Sequence, residues 1–378
     1  MKTALVTLGR LPKGLALCRA LARAGWRVVV AEPSKRHLCG LSKYVAASHE
    51  VTAPNTDRDA YLREMLDVVA RETVSLIVPV SEEIMHVAAL GPMLPGGVHL
   101  FCQPFDRLLE LHDKFRFNRL AAGFGLPVPK THLPGTPEAA QLAASHDVVL
   151  KPGLGCAGMG VEHVTAGAEL PRTGDGAILV QKALLGRHTS SFSIVHEGQV
   201  LGTVVYTPEV VSNTVAAAFR RVEGDAASHQ AAWVERFVAG TGHSGFISLD
   251  FIDDEAGIPH AIECNPRTTS GIHFVDEDWL ARAITAPESA GPMRLKPHPV
   301  MHQFWPVLTE VQGAMFRPGR GYGHKMGVLL KSKEVNFEWG DAKPVTLQVW
   351  AAWDILRRSA QTGESFGEAS TFDIAWKG

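Results

Sequence analysis

Three separated stretches in the middle of the chain hold side chains whose types and spacing suit phosphoryl chemistry. The first sets Asp250, in Ser248-Leu249-Asp250-Phe251-Ile252, against Glu263, Asn265 and Arg267, in Ile262-Glu263-Cys264-Asn265-Pro266-Arg267. The turn Asp253-Asp254-Glu255-Ala256-Gly257 separates them, so paired antiparallel strands would bring Asp250 beside Glu263. Glu263 and Asn265 are two apart and project from one strand face. Two carboxylates and an amide oxygen are hard ligands, suited to Mg²⁺ held between protein and substrate phosphates. Arg267 would then meet a phosphate or a developing oxyanion. A salt-bridged hairpin rim would gather similar charges. The apolar flanks argue instead for a cleft.

The second stretch is Lys151-Pro152-Gly153-Leu154-Gly155-Cys156-Ala157-Gly158-Met159-Gly160, a strand-ending lysine followed by four glycines. Glycines let backbone N–H groups approach an anion, and the lysine adds a point charge. No Gly-Lys-Ser/Thr follows, so this is not a Walker A loop. The third, Gln181-Lys182-Ala183-Leu184-Leu185-Gly186, is a strand end that could offer backbone groups to a purine edge while Leu184 packs on its face. Acceptor candidates are Glu82 and Glu83, which could take a substrate ammonium or cap a helix start. Arg220, Arg221 and Thr268 to Ser270 are further substrate candidates. A basic stretch with Arg317, Arg320, His324, Lys325 and Lys331 reads as a solvated loop or an anion clamp.

These side chains need a scaffold, and the sequence supplies one. The 378 residues carry 37 Lys plus Arg against 39 Asp plus Glu, a net charge of −2. That balance lacks the basic face expected of a nucleic-acid or membrane-surface protein. The 5 cysteines are scattered, without a CxxC pair, which points to a reducing compartment. No apolar run reaches the roughly 18–20 residues of a membrane span, and the expectation is a cytoplasmic protein. Strand-like Thr3–Leu8, Trp26–Ala31 and Leu76–Val80 alternate with helix-like Leu15–Ala24 and Asp59–Glu72, which predicts βαβ units and a parallel sheet. The first turn, Gly9 to Gly14, is not G-x-G-x-x-G, because Leu11 and Pro12 interrupt it. A long helix is expected from Pro104–Leu111 onward. Hairpins are expected around His196–Gln199 and the turn after Asp253, and the aromatics of 339–376 are read as core.

Taken in order, Asp113-Lys114, the Leu126–Thr131 segment (LPVPKT), the Lys151–Gly160 loop, Gln181–Gly186 and the hairpin ending in IECNPRTTSG resemble the ATP-grasp superfamily. The resemblance includes the D-alanine–D-alanine ligase and carbamoyl-phosphate-synthase-like branches. It implies an α/β protein in three parts. Residues 1–108 would be a Rossmann-like pre-ATP-grasp domain and 109–292 an ATP-grasp fold of two α+β subdomains, with a lid at about 131–186. Residues 293–378 would be a C-terminal extension.

By that resemblance, Lys114 and Lys151 contact ATP phosphates, and Gly155, Gly158 and Gly160 belong to the lid loop. Gln181, Lys182 and Leu184 form the adenine hinge, with His188 nearby. Asp250, Glu263 and Asn265 bind two Mg²⁺, with Mn²⁺ as an alternative ion, and Arg267 holds the phosphoryl group. Three positions depart from the family pattern. Gln181 stands where relatives usually have Glu, His188 where a ribose-binding Glu is common, and Ser248 where one branch has a catalytic Arg. The implied activity joins a small-molecule carboxylate to an amine through an acyl phosphate, and a homodimer is left open. Phosphoryl transfer to a hydroxyl or enol, and a nucleotide-binding module without turnover, are the alternatives.

Overall fold

The structure is a computed structural model that describes residues 1–155, 160–170, 178–212, 215–315 and 321–376. Its first sheet holds β1 (Thr3–Val6), β2 (Arg27–Glu32), β3 (Ala47–Glu50), β4 (Val74–Val78) and β5 (His99–Leu100). All run parallel, in the order β3-β2-β1-β4-β5, the order of dinucleotide-binding folds. The apolar runs of β1, β2 and β4 are buried because helices cover both faces. β3 (Ala-Ser-His-Glu) is an edge strand that alternates between half-buried and exposed, so no apolar run announces it.

The first turn does not hold its backbone donors open. Gly9 N–H and Arg10 N–H both donate to Glu32 Oε2, at 2.8 and 2.9 Å. Glu32 also accepts from Arg10 Nε at 2.7 Å, so the turn closes on a carboxylate of the chain itself.

Beyond this sheet the expected long helix is two helices, Phe105–His112 and Lys114–Gly123. Asp113 leaves the helical region at φ −69°, ψ 112°, and its side chain accepts from Phe115 N–H and Arg116 N–H. A residue that favours helix caps over interiors thus breaks the run. The break makes Lys114 the first residue of a helix, with its backbone N–H donating to Gly153 O at 3.0 Å.

A small antiparallel sheet follows, of β6 (Thr131–His132), β7 (Val148–Pro152), β8 (Glu162–Val164) and β9 (Ile178–Lys182), ordered β6-β9-β7-β8. The larger sheet contains β10 (Arg187–His196), β11 (Gln199–Ser212), β12 (Val215–Val222), β13 (Gly245–Asp253) and β14 (Pro259–Asn265). β15 (Val300–His302) and β16 (Lys333–Glu334) extend it, in the order β14-β13-β10-β11-β12-β15-β16. Glu197 and Gly198, at φ 48° and 77°, close the β10–β11 hairpin; two positive φ values in a two-residue turn match strand twist. One face of the large sheet packs Ile247, Leu249 and Phe251 on Trp233 and Phe237 of the helix Asp225–Thr241. The other packs Phe192 and Phe246, with Phe274 of the turn Ser270–Phe274, into a core shared with Val78 of the first sheet, Leu8 just beyond β1 and Leu17 of the helix Pro12–Arg23.

The C-terminal residues return to that first sheet. Arg10 Nη1 and Nη2 donate to the two carboxylate oxygens of Asp373, at 2.9 and 3.1 Å. Arg19 meets Asp341 at 2.9 Å, and Ile374 enters the shared core. Trp376 packs edgewise on His86 and Phe105. The aromatics expected in the core behave otherwise at Trp339, Trp350 and Trp353, which are exposed because these terminal helices bury little more than Ile355 and Ala351. No helix among the described residues is long and apolar enough to cross a membrane.

The Arg10–Asp373 pair is buried on both sides, and removing Asp373 leaves Arg10 paired with Glu32 but strands two buried guanidinium donors. Asp373→Ala is expected to lower unfolding free energy by about 1–3 kcal/mol, read by urea denaturation. An unchanged midpoint would mean the tail is not anchored there.

Candidate functional site

Strand alternation sets the site. Because Ile247, Leu249 and Phe251 face the core, Ser248 and Asp250 face the other way. The register places Asp250 directly opposite Glu263 and Ser248 opposite Asn265. Asp250 Oδ1 accepts from Ser190 Oγ at 2.6 Å, and Oδ2 from Asn265 Nδ2 at 3.0 Å. Burial pushes the Asp250 carboxyl up to about 6, the neighbouring Glu263 charge adds to this, and Ser190, Arg267 and Lys114 pull the other way.

After Asp250 the register slips: Phe251 pairs with Ala261, leaving Ile262 as an extra residue on β14. Such bulges free a carbonyl from the ladder, and here Lys151 Nζ donates to Ile262 O at 2.9 Å. Burial lowers the Lys151 ammonium to about 8, against the pull of Glu263 and with Lys114 reinforcing it. Lys114 Nζ lies 3.5 Å from Glu263 Oε1 and donates to Gly155 O at 2.7 Å. Two buried lysines from different elements therefore face two carboxylates where the sheets meet. Gly155 and Gly160 border this point, while Gly158 lies outside the described residues.

At the expected hinge, Gln181 Nε2 donates to Thr131 Oγ1 at 2.9 Å. The N–H groups of Lys182 and Ala183 donate to Lys130 O and Asp147 O. Leu184 is half-buried and His188 exposed. Gly186 has φ 159°, and a Cβ there would fall 2.0 Å from Asp253 O, so the close approach of this turn to β13 requires glycine.

Arg267 sits at the seam with the first sheet. Its Nη2 is 2.5 Å from Glu82 Oε1 and 3.1 Å from Asn265 Oδ1, and Nη1 donates to Thr268 O at 3.2 Å. Burial alone would raise the Glu82 carboxyl, but Arg267, then His112 and Lys13, hold it at about 2. Glu83 has a different occupation. It accepts from Val80 N–H, Ser81 N–H and Thr7 Oγ1 and so closes the turn after β4. Thr268 Oγ1 donates to Val80 O, and Lys13 Nζ to Thr268 O at 3.0 Å. Ser270 begins the single turn Ser270–Phe274 beside them.

Other candidates lie apart from this cluster. Glu263, Asp250, Ser190, Tyr206 and Arg221 are opposite one another on successive strands. Arg221 is thus three strand spacings, about 14 Å, from Asp250. It pairs with Glu223, and Arg220 with Glu209. His324 and Lys325 face Glu209 and Glu310; Arg317 and Arg320 lie outside the described residues.

Sequence reading missed His112, which is buried among the charges of Glu82, Lys114, Arg267 and Glu263, with burial lowering its basicity. Its place two residues before Lys114, at a helix break, was the available signal. Ser190 was missed as well, because only the register shows it facing Asp250.

Mg²⁺, implied by the sequence resemblance, can be tested against the donor set. Two carboxylates crowd each other, as the raised Asp250 carboxyl shows, and a divalent cation would relieve that repulsion. Among the described residues no three His, Cys, Asp or Glu side chains gather to hold a metal by themselves. Water and substrate phosphate would have to complete the coordination of any ion held there. Asp250, Glu263 and Asn265 are the residues that would hold it.

Residues 111–271 match the family model of the ATP-grasp domain. No curated protein matches the chain in sequence. Among solved structures the chain is similar to the biotin carboxylase domain of Hydrogenobacter thermophilus 2-oxoglutarate carboxylase, a dimer in complex with MgADP, ADP and bicarbonate. Identity is 18% and TM-score 0.61, over 76% of this chain and 70% of that one. An L-amino acid ligase from Bacillus licheniformis is 17% identical with TM-score 0.59, over 78% of each chain. The N5-carboxyaminoimidazole ribonucleotide synthetase from Thermotoga maritima is 17% identical with TM-score 0.57, over 75% of this chain and 76% of that one. These likenesses establish a shared fold.

A carboxyl held below its usual range stabilises the folded state at pH values above its unfolded pKa, and that contribution is lost as pH falls toward the folded value. For Glu82 the window runs from 4.5 down to about 2. Urea midpoints of the wild type should therefore exceed those of Glu82→Gln at neutral pH and converge across this window. A constant gap down to the acid end would contradict the Glu82 assignment.

Proposed function

We propose that this chain, which has an ATP-grasp fold and an ATP-grasp domain at residues 111–271, is an ATP- and Mg²⁺-dependent ligase joining a small-molecule carboxylate to an amine. The observation that carries this reading is the opposition of Asp250 and Glu263, flanked by Asn265 and Arg267 and faced by Lys114 and Lys151. A site of this charge pattern binds polyphosphate through both a cation and fixed ammonium groups.

In this reading Lys114 and Lys151 neutralise the ATP phosphates. Their approach from two elements fixes the phosphate chain relative to the strand pair. Asp250, Glu263 and Asn265 would hold Mg²⁺, which would neutralise charge on the phosphate oxygens; two ions are the number that the sequence resemblance implies. A substrate carboxylate oxygen attacks the γ-phosphorus, the β,γ-bridging bond breaks, and ADP leaves. Arg267 meets the oxygens of the acyl phosphate. An amine then attacks the acyl carbon, phosphate departs with its bonding electrons, and the amine proton passes to solvent. The chain's work is positioning and charge compensation, the usual division of labour in phosphoryl transfer. Gln181, Lys182 and Leu184 would border the adenine, and Thr268 and Ser270 the acyl substrate.

The test is release of ADP and phosphate from ATP and Mg²⁺ across a carboxylate and amine library, with product mass identifying an amide. Glu263→Gln is expected to slow turnover about 10²-fold or more, and EDTA to abolish it. Turnover of Glu263→Gln at the wild-type rate would remove the metal assignment. A phosphorylated alcohol as product would replace the ligase with a kinase, and tight ATP binding without ADP release would favour a regulatory module.

A further inference from the structure

Glu82 was a candidate receptor for a substrate ammonium, but its surroundings give it other work. Its side chain is 3% exposed and its carboxylate lies 2.5 Å from Arg267 Nη2. Lys13 and His112 lie within its field as well. On the other side, the same Nη2 meets Asn265 Oδ1 at 3.1 Å, and Nη1 donates to Thr268 O at 3.2 Å. Two hydrogen-bond acceptors and one carboxylate in ion-pair contact thus surround the guanidinium. The acceptors, Asn265 and Thr268, lie within two residues of Arg267 on its own strand end. Glu82 is the carboxylate contributed from the turn after β4.

Asp250 is another carboxylate within the field of Arg267. Without Glu82, the guanidinium would lose its ion-pair partner from across the seam. Two further contacts cross the same seam: Thr268 Oγ1 with Val80 O and Lys13 Nζ with Thr268 O. The end of β4 and the end of β14 are therefore joined at the position where Arg267 must point.

We propose that Glu82 is a positioning residue for Arg267, holding the guanidinium toward the transferred phosphoryl group from across the seam between the two sheets. The proposal rests on the ligase reading for the role of Arg267, and its test includes an arm that does not need turnover. Mg²⁺ with ADP and aluminium fluoride mimics the phosphoryl group in flight, whereas Mg²⁺ with ADP alone carries no group in the γ position. Calorimetric titration of Glu82→Gln, which keeps the side-chain volume, is expected to show at least about 10-fold weaker binding of the fluoride complex and unchanged binding of ADP. A 1 Å displacement of a catalytic group can cost about 10²-fold in rate, so kcat should fall by that order while the KM for ATP holds. Glu82→Asp should recover part of the loss. In an Arg267→Ala background the Glu82 substitution should add nothing, because a residue acting through another is not additive with it.

Equal affinity of wild type and Glu82→Gln for the fluoride complex would overturn the proposal. So would full additivity with Arg267→Ala, or a fall in thermal stability with kcat unchanged. If the wild type binds the fluoride complex but makes no amide from any library member, the ligase reading fails while the binding comparison still decides the role of Glu82.

Discussion

Placing two carboxylates side by side in a buried cleft is the constraint on which the rest of the site depends. Asp250 and Glu263 are forced together by antiparallel register, and burial raises the cost of ionising Asp250. The chain surrounds them with compensation: Ser190 and Asn265 donate to Asp250, Lys114 approaches Glu263, and Lys151 is moored on the bulge next to it. These partners come from four different elements. In the proposed reading a divalent cation and a polyphosphate sit between them, matched to an arrangement that alternates negative and positive charge.

Buried ion pairs also join the parts of the molecule to one another. Arg10 links the first turn to Glu32 and Asp373, Arg19 reaches Asp341, and Arg267 reaches Glu82. A buried pair adds little stability over an apolar contact but is costly to break. Such pairs specify which surfaces meet. Here they fix the first sheet against both the large sheet and the C-terminal tail, while the shared core of Leu8, Val78, Phe192 and Phe274 supplies the apolar burial.

Much of this was legible in the sequence where the information is local. The β13–β14 hairpin follows from alternation of apolar and polar residues around a turn, and the shared face of Glu263 and Asn265 follows from strand geometry. The lysine and glycine run after β7 marks its loop. What escaped was set by contacts distant in sequence or by competition at single residues. Asp113 breaks a helix because its carboxylate caps the next one. β3 is a polar edge strand, and Ile262 becomes a bulge only through its partner's register. Glu82 and Glu83 are adjacent and identical in type, yet one faces Arg267 and the other closes a turn. Only the packing of β4 against the large sheet distinguishes them.

The proposed ligase reading requires that a substrate carboxylate, rather than water or an alcohol, receive the γ-phosphoryl group. Isotope transfer measures this most directly: a carboxylate substrate labelled with ¹⁸O, turned over with ATP, Mg²⁺ and an amine, followed by mass analysis of the released phosphate. The account predicts one ¹⁸O atom in each phosphate released, because the acyl phosphate carries a carboxylate oxygen away with its phosphorus. Phosphate without label, released alongside amide, would contradict it.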